Sequence, residues 1–300
     1  MTARFTEPPP LPPWLEAELP FRRRMAHFGS WRMHFIDEGE GRPVLLLHGN
    51  PTWSFLWRKV ISRLKEAGGL RLVAPDLIGL GLSEQPTRAD EQTLELHLAT
   101  VGALVEGLDL QDAIVVGQDW GGPVGAGVAA RDPGRFTGAV FANTALLAPR
   151  RPLKPSLFHR ASHLPLLSEL LFRGLNFPVP ILGRVQGDPR SIGPLERRAY
   201  AYPLKSWKQR AAPLGMARMV PDREGHPSLP VLDQTDAWVR GFRGPAALVW
   251  GLRDPILGRG LKRLREALPQ ATVTETQAGH FLQEEVPGEL AAAILRVAGR

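Results

Sequence analysis

The sequence predicts an α/β protein: a mostly parallel, doubly wound sheet interrupted by an inserted helical cap. Three observations predict it. Apolar strand-like runs alternate with helix-period segments in both halves of the chain, the pattern of repeated βαβ units. One such run, residues 113–116, passes straight into Gly117-Gln118-Asp119-Trp120-Gly121-Gly122 and a helix-compatible stretch. Between residues 149 and 230 the alternation stops, and prolines with short helical pieces replace it.

Taken in order, residues 22–28 and 31–37 read as a β-hairpin turning at Gly29-Ser30. Residues 44–47 form a short strand ending in His48-Gly49-Asn50-Pro51. An amphipathic helix over 53–66 closes on Gly68-Gly69, and 71–75 is the next strand, with a loop to Ser83. Residues 93–108 have helical periodicity; 113–116 and 136–143 are strands. Inside the insertion, 164–175 and 194–202 read as helical pieces. The chain returns to the sheet at 246–250 and runs into Gly251-Leu252-Arg253-Asp254. A helix near 260–268, a strand around 271–276, the loop Gly279-His280 and a final helix over 281–297 complete it. The expected division is core 1–148, cap 149–230 and core again 231–300. Sites in such sheets lie at the carboxyl ends of the strands.

Composition bounds the function. With 300 residues, 43% hydrophobic and 22% charged, the chain can bury a sizeable core. It has no cysteine, which excludes disulfides, Cys-ligated zinc and a thiol nucleophile. The net charge of +7 comes mostly from scattered arginines, and the densest run, Arg22-Arg23-Arg24, is short and strand-like. Nucleic acid is therefore not an expected partner. No run approaches the ~18 apolar residues of a membrane span, and Glu7-Pro8-Pro9-Pro10-Leu11-Pro12-Pro13 interrupts any signal-peptide core. A cytoplasmic location and no membrane partner are expected.

Strand, Gly117-x-Asp119-x-Gly121 turn and helix together make a nucleophile elbow of the α/β-hydrolase fold, with Asp where Ser commonly stands. A carboxylate is ionised near pH 7 and attacks without a base. It suits displacement at saturated carbon or opening of a strained ring, and it leaves an ester of the enzyme's own side chain. Hydrolysis of that ester needs a general base and an oxyanion site. His280, late in the chain, is the candidate base. Asp254, after the strand 246–250, is the candidate acid, because the end of the earlier strand reads Ala142-Asn143-Thr144-Ala145. The backbone N–H groups of Asn50 and Trp120 are the expected oxyanion donors. Their side chains, Asn50 Nδ2 and Trp120 Nε1, are neutral donors able to converge on a leaving halide beside Asp119. Simpler roles exist for each: a capping Asn before Pro51, a turn Asp before Pro255, a packing Trp. His48 reads as a brace for its loop, and His159, His163 and His226 carry no motif.

Three ordered motifs resemble the haloalkane dehalogenases: His48-Gly49-Asn50-Pro51-Thr52-Trp53-Ser54-Phe55-Leu56-Trp57-Arg58, Gly117-Gln118-Asp119-Trp120-Gly121-Gly122-Pro123, and Gly279-His280-Phe281-Leu282-Gln283-Glu284-Glu285. The resemblance covers roughly residues 20–147 and 240–300. It implies hydrolytic dehalogenation with Asp119 as nucleophile, His280 as base, Asp254 as acid, and Asn50 with Trp120 on the halide. It implies no metal or organic cofactor, and as partners a small apolar substrate, water and a bound halide ion. The segment Gly187-Asp188-Pro189-Arg190-Ser191-Ile192-Gly193 lacks the cap tryptophan that members with a late acid often carry, and Trp207 does not align to that role. Two other families share the triad. Epoxide hydrolases need cap tyrosines facing one substrate, and the two tyrosines here, Tyr200 and Tyr202, fall on different sides of a helix. The β-lactone decarboxylases of olefin synthesis resemble this Asn–Trp, late-acid pattern. A non-catalytic binding protein would be expected to have lost Asp119, His280 or Asp254, and all three are present.

Overall fold

A computed structural model describes residues 3–150, 153 and 157–300, with the side chains of 157 and 158 excepted. Nine strands form one sheet in the order β1-β2-β3-β5-β4-β6-β7-β8-β9. They are β1 (Arg4–Thr6), β2 (Arg23–Phe28), β3 (Trp31–Glu38), β4 (Arg42–Leu47), β5 (Leu70–Pro75), β6 (Ala113–Gln118), β7 (Phe136–Ala142), β8 (Ala246–Gly251) and β9 (Thr272–Thr276). From β5 to β9 all neighbours pair in parallel, while β1, β2 and β3 add an antiparallel edge.

The apolar strands are buried on both faces, which is why they read as unbroken runs. Leu45, Leu47, Val115 and Leu248 point to one cluster, where the helices Leu94–Gly107, Gly121–Arg131 and Leu229–Gly241 pack. Their neighbours Val44, Leu46, Val116 and Val249 point to the other, under Arg58–Ala67 and Pro287–Val297. The parallel crossovers leave the carboxyl ends of β4, β6, β7 and β8 side by side, each followed by a loop. That edge carries the site.

Between β7 and β8 the described residues contain helices and no strand: Leu157–Ser162, Leu167–Glu169, a π-turn Leu170–Gly174, a 3-10 stretch Val179–Val185, Pro194–Ala201, Ala211–Arg218 and Leu229–Gly241. Several elements differ from the sequence reading. β1 was not foreseen: three residues are too short to show periodicity, and pairing with β2 supplies their order. The helix expected over 53–66 starts as a 3-10 turn, Ser54–Trp57, before Arg58–Ala67. The final helix is split into Leu282–Glu285 and Pro287–Val297, because Pro287 lacks the N–H that would continue the first segment.

Candidate active site

The sequence at the end of β6 forces a tight bend. Asp119 sits at φ +52°, a left-handed conformation uncommon for a residue with a side chain. It is held there by Asp119 N–H donating to Asn143 O (3.1 Å), Gly122 N–H donating to Asp119 O (3.2 Å) and Thr144 Oγ1 donating to the same carbonyl (2.6 Å). Two glycines make room: a Cβ on Gly121 would run into the Leu47 carbonyl, and one on Gly49 into the Asp119 carboxylate itself. The bend lifts Asp119 off the sheet, so its side chain is only partly buried, at 16% exposure.

Three groups meet that carboxylate. The backbone N–H of Asn50, on the loop after β4, donates to Asp119 Oδ1 at 2.8 Å. His280 Nε2 lies 3.6 Å from Asp119 Oδ2. His280 Nδ1 is 2.9 Å from Oδ2 of Asp254, on the loop after β8. The expected nucleophile, acid and base positions thus follow β6, β8 and β9, with β7 between the first two. Asp254 is 5% exposed and well supplied with donors: Asn143 Nδ2 at 2.7 Å, Ile256 N at 2.7 Å and His280. Burial favours its neutral form, but His280 and these donors outweigh that and hold its carboxyl below the usual range. His280 is 2% exposed; burial alone would lower its pKa, yet hydrogen bonding to Asp119 and Asp254 and their charges raise it to about 9.

Several contributing residues were given no role by the sequence reading, although Gln118 stands inside the elbow motif. Asn143, on the strand end that lacks an acid, donates to Asp254 Oδ2 and to Gly251 O and accepts from Gly251 N, so it pins the acid to β8. Gln118 donates from Nε2 to His280 O at 3.0 Å and stands 3.4 Å from His280 Nε2. Residues 185 and 186 clamp the His280 loop: His280 N donates to Val185 O, and Gln186 exchanges hydrogen bonds with both backbone groups of Phe281.

The expected halide donors are placed less symmetrically. Asn50 Nδ2 donates to Pro213 O of the helix Ala211–Arg218 at 3.0 Å, so one amide hydrogen is committed to the cap and one remains. Trp120 precedes the elbow helix and is half-buried against the core. Of the residues set aside, His48 does brace its loop, donating to Gly49 O and accepting from Leu77 N. Tyr200 is buried with its hydroxyl given to Glu284 at 2.6 Å, and Tyr202 packs on Trp14. Neither phenol is offered to Asp119. Trp207 is 47% exposed on the outer surface of the cap, against Arg173.

Comparison with known proteins bears on the fold and the family. The model of the α/β-hydrolase fold family matches residues 42–178. A haloalkane dehalogenase of Mycolicibacterium paratuberculosis is 33% identical over 273 residues, covering 88% of this chain and 86% of that protein. A cis-3-alkyl-4-alkyloxetan-2-one decarboxylase of Shewanella oneidensis is 32% identical over 283 residues, covering 92% and 88%. Among solved structures, the haloalkane dehalogenase DatA of Agrobacterium tumefaciens superposes with a TM-score of 0.80 at 29% identity, covering 93% of this chain and 95% of that one.

Proposed function

This chain belongs to the haloalkane dehalogenase family of the α/β-hydrolase fold, and from that membership we propose that it hydrolyses haloalkanes to alcohol and halide through an alkyl ester of Asp119. One observation carries the reading: a strained, partly exposed carboxylate whose Oδ1 takes the Asn50 N–H and whose Oδ2 faces a buried imidazole seated on Asp254.

In the first step an Asp119 oxygen attacks the halogen-bearing carbon from behind. The C–O bond forms as the C–halogen bond breaks, and the halide leaves with the electron pair. The remaining Asn50 amide hydrogen and the Trp120 indole N–H receive it. Neither brings a positive charge that would compete for the carboxylate. Esterification neutralises Asp119, so His280 loses one of the two anions that keep it protonated, releases its proton to solvent and becomes a base. In the second step His280 Nε2 takes a proton from water and the hydroxide adds to Asp119 Cγ. The Asn50 and Trp120 backbone N–H groups stabilise the oxyanion. Its collapse expels the alkoxide, which takes the proton from His280, and leaves Asp119 as a carboxylic acid that passes its remaining water-derived proton to the neutral His280 ring, restoring the carboxylate beside the imidazolium. Asp254 holds the ring in the tautomer this requires. Residues 149–230 serve as the cap over the nucleophile, between core segments 1–148 and 231–300. The chemistry consumes only water, and we place the enzyme in the cytoplasm.

A second reading follows from the decarboxylase relative of similar identity: the same nucleophile opening a β-lactone whose carboxyl leaves as carbon dioxide. Purified protein given 1-bromo- and 1-iodoalkanes, a cis-β-lactone and styrene oxide in parallel separates the readings. Halide release with acidification is expected. Consumption of the lactone with no halide from any haloalkane would replace the first reading by the second. A His280→Phe variant should accumulate the alkyl adduct on the peptide containing Asp119, seen as added mass.

A further inference from the structure

The outer face of the cap carries an apolar ridge. Leu164, Leu166, Leu167, Leu170 and Leu175 are 49%, 84%, 44%, 56% and 62% exposed, beside Trp207 at 47%. Leu167, Leu170 and Gly174 follow at helical spacing along one side, and the space at Gly174 is bordered by Leu170 and Trp207, at 3.2 and 3.7 Å from where its Cβ would lie. Leu166, the most exposed, sits at φ +61°. Ser168 and Phe172, on the opposite side, are buried.

The rim of this ridge is cationic. Arg173 stacks on the Trp207 ring at 4.9 Å, and Arg210 donates to the carbonyls of Arg173 and Gly174. Lys205 and Lys208 are exposed on either side of Trp207. Among the described residues no carboxylate pairs with these two lysines, and Lys205 Nζ stands 4.1 Å from the Tyr202 ring centroid. The nearby acid Glu169 is taken up by Arg173 and Arg218. The whole chain carries +7. Exposed leucines, an interfacial tryptophan and uncompensated lysines complement a surface that is apolar within and anionic outside.

We propose that this face of the cap docks on a membrane surface bearing anionic lipid, from which the enzyme draws its apolar substrate. Although no helix among the described residues could cross a membrane, a peripheral contact needs none; this revises the expectation that no membrane is involved. This face is linked to the site by packed residues. The segment whose outer side is Leu167 and Leu170 packs Phe172 in one cluster with Leu214, and the neighbouring Pro213 carbonyl holds Asn50. The docking depends only on the surface; the choice of cargo rests on the dehalogenase reading.

The test is co-sedimentation of the full chain with vesicles of phosphatidylcholine alone and of phosphatidylcholine containing about a third phosphatidylglycerol. Binding to the anionic vesicles, weakened by salt, is expected. The Leu166→Glu, Leu170→Glu double variant should lose partitioning roughly tenfold or more, and Lys205→Glu, Lys208→Glu should lose the preference for anionic lipid. Both should keep the parent rate on a short, water-soluble bromoalkane. No sedimentation with either vesicle, or variants that bind like the parent, would overturn the proposal. So would a dimer in velocity sedimentation that the leucine variant dissolves, since the face would then belong to a second copy. Vesicle binding by a protein inactive on every haloalkane would leave the docking standing and remove the catalytic reading.

Discussion

His280 bridges two carboxylates, with Nε2 3.6 Å from Asp119 Oδ2 and Nδ1 2.9 Å from Asp254 Oδ2. Burial works against its charge, but the hydrogen bonds and charges of both acids raise its pKa to about 9. In the free enzyme the imidazolium occupies an oxygen that must attack. In the ester Asp119 is neutral and that support is gone. The dependence of kcat/KM on pH should therefore rise toward about 9, while hydrolysis of the alkyl-enzyme in single turnovers should titrate at lower pH. Rapid-quench halide and alcohol release between about pH 6 and 10 reads both. One shared pKa for the two phases would contradict the assignment of His280 as base.

The same bridge has a stability consequence of definite sign. A histidine whose folded pKa exceeds its unfolded value of about 6.5 contributes stability that is fully present below that value and lost as pH rises through about 9. The Tm of the parent should fall across this window. In Asp119→Asn, with one anion removed, the fall should be smaller and be complete at lower pH. Scanning calorimetry of both proteins checks it; parallel curves would mean that Asp119 does not hold the proton.

Removing the acid should separate the two chemical steps. Asp254→Asn leaves the His280 ring without its acceptor while Asp119 can still be alkylated. Turnover should drop by roughly 10³–10⁴-fold, preceded by a burst of halide equal to the enzyme present. Asn143→Leu takes one donor from Asp254 and its tether to Gly251, and a loss of about 10–100-fold is expected from one hydrogen bond to a charged group. Steady-state rates near the parent's in Asp254→Asn would show that the ring is oriented by something else.

The core of this site was legible because its chemistry is local. Gly117, Asp119 and Gly121 announce the elbow by spacing, and Asp254 and His280 each follow a readable strand. Supports reached through the fold were not. Gln118 meets His280 across 162 positions, Gln186 meets Phe281 across 95, and Pro213 meets Asn50 across 163. Each lies on an element whose own periodicity concerns packing. The lack of an acid at Asn143 pointed to Asp254, which does lie against His280 Nδ1, but the hold of the Asn143 amide on Asp254 depends on the β7–β8 register. The cap was legible only as an interruption: its pieces are short and proline-rich, and their order comes from the core beneath them.

Asn50 has two duties that substitution can divide. Its backbone N–H faces Asp119 Oδ1, and its side-chain Nδ2 is oriented by Pro213 O. Asn50→Ala keeps the first and loses the second. Chloride, the poorest leaving group of the series, needs the most stabilisation as it departs. The variant should lose kcat/KM on a 1-chloroalkane by roughly 10²-fold, with much smaller losses on the bromo and iodo analogues, and Trp120→Phe should follow the same order. Inhibition by added chloride should weaken in both. Equal losses across the three halogens would assign Asn50 and Trp120 to packing.

A buried ion cluster ties the helix Pro194–Ala201 to the sheet-bearing part of the chain, and its removal should be costly in a particular way. Arg58 and Glu284, each 5% exposed, pair bidentately at 2.6 and 3.0 Å; Lys59 reaches Glu284 at 2.8 Å, and the Tyr200 hydroxyl donates to it at 2.6 Å. Burial, with Glu284 alongside, pushes the Tyr200 hydroxyl well above its ordinary pKa, so it stays a donor. Arg58 also meets Glu196 of the helix Pro194–Ala201 at 3.3 Å and covers the Phe55 ring at 3.9 Å. Glu284→Gln leaves the Arg58 charge buried with a partial partner. A loss of about 3–5 kcal/mol is expected in urea unfolding followed by tryptophan fluorescence. Arg58→Met should cost a similar amount by stranding Glu284. The double replacement Arg58→Met, Glu284→Leu removes both charges together, so it should be less damaging than the sum of its parts. Additive losses would mean that the two residues act separately and that packing around Phe55 and Tyr200 fastens the cap instead.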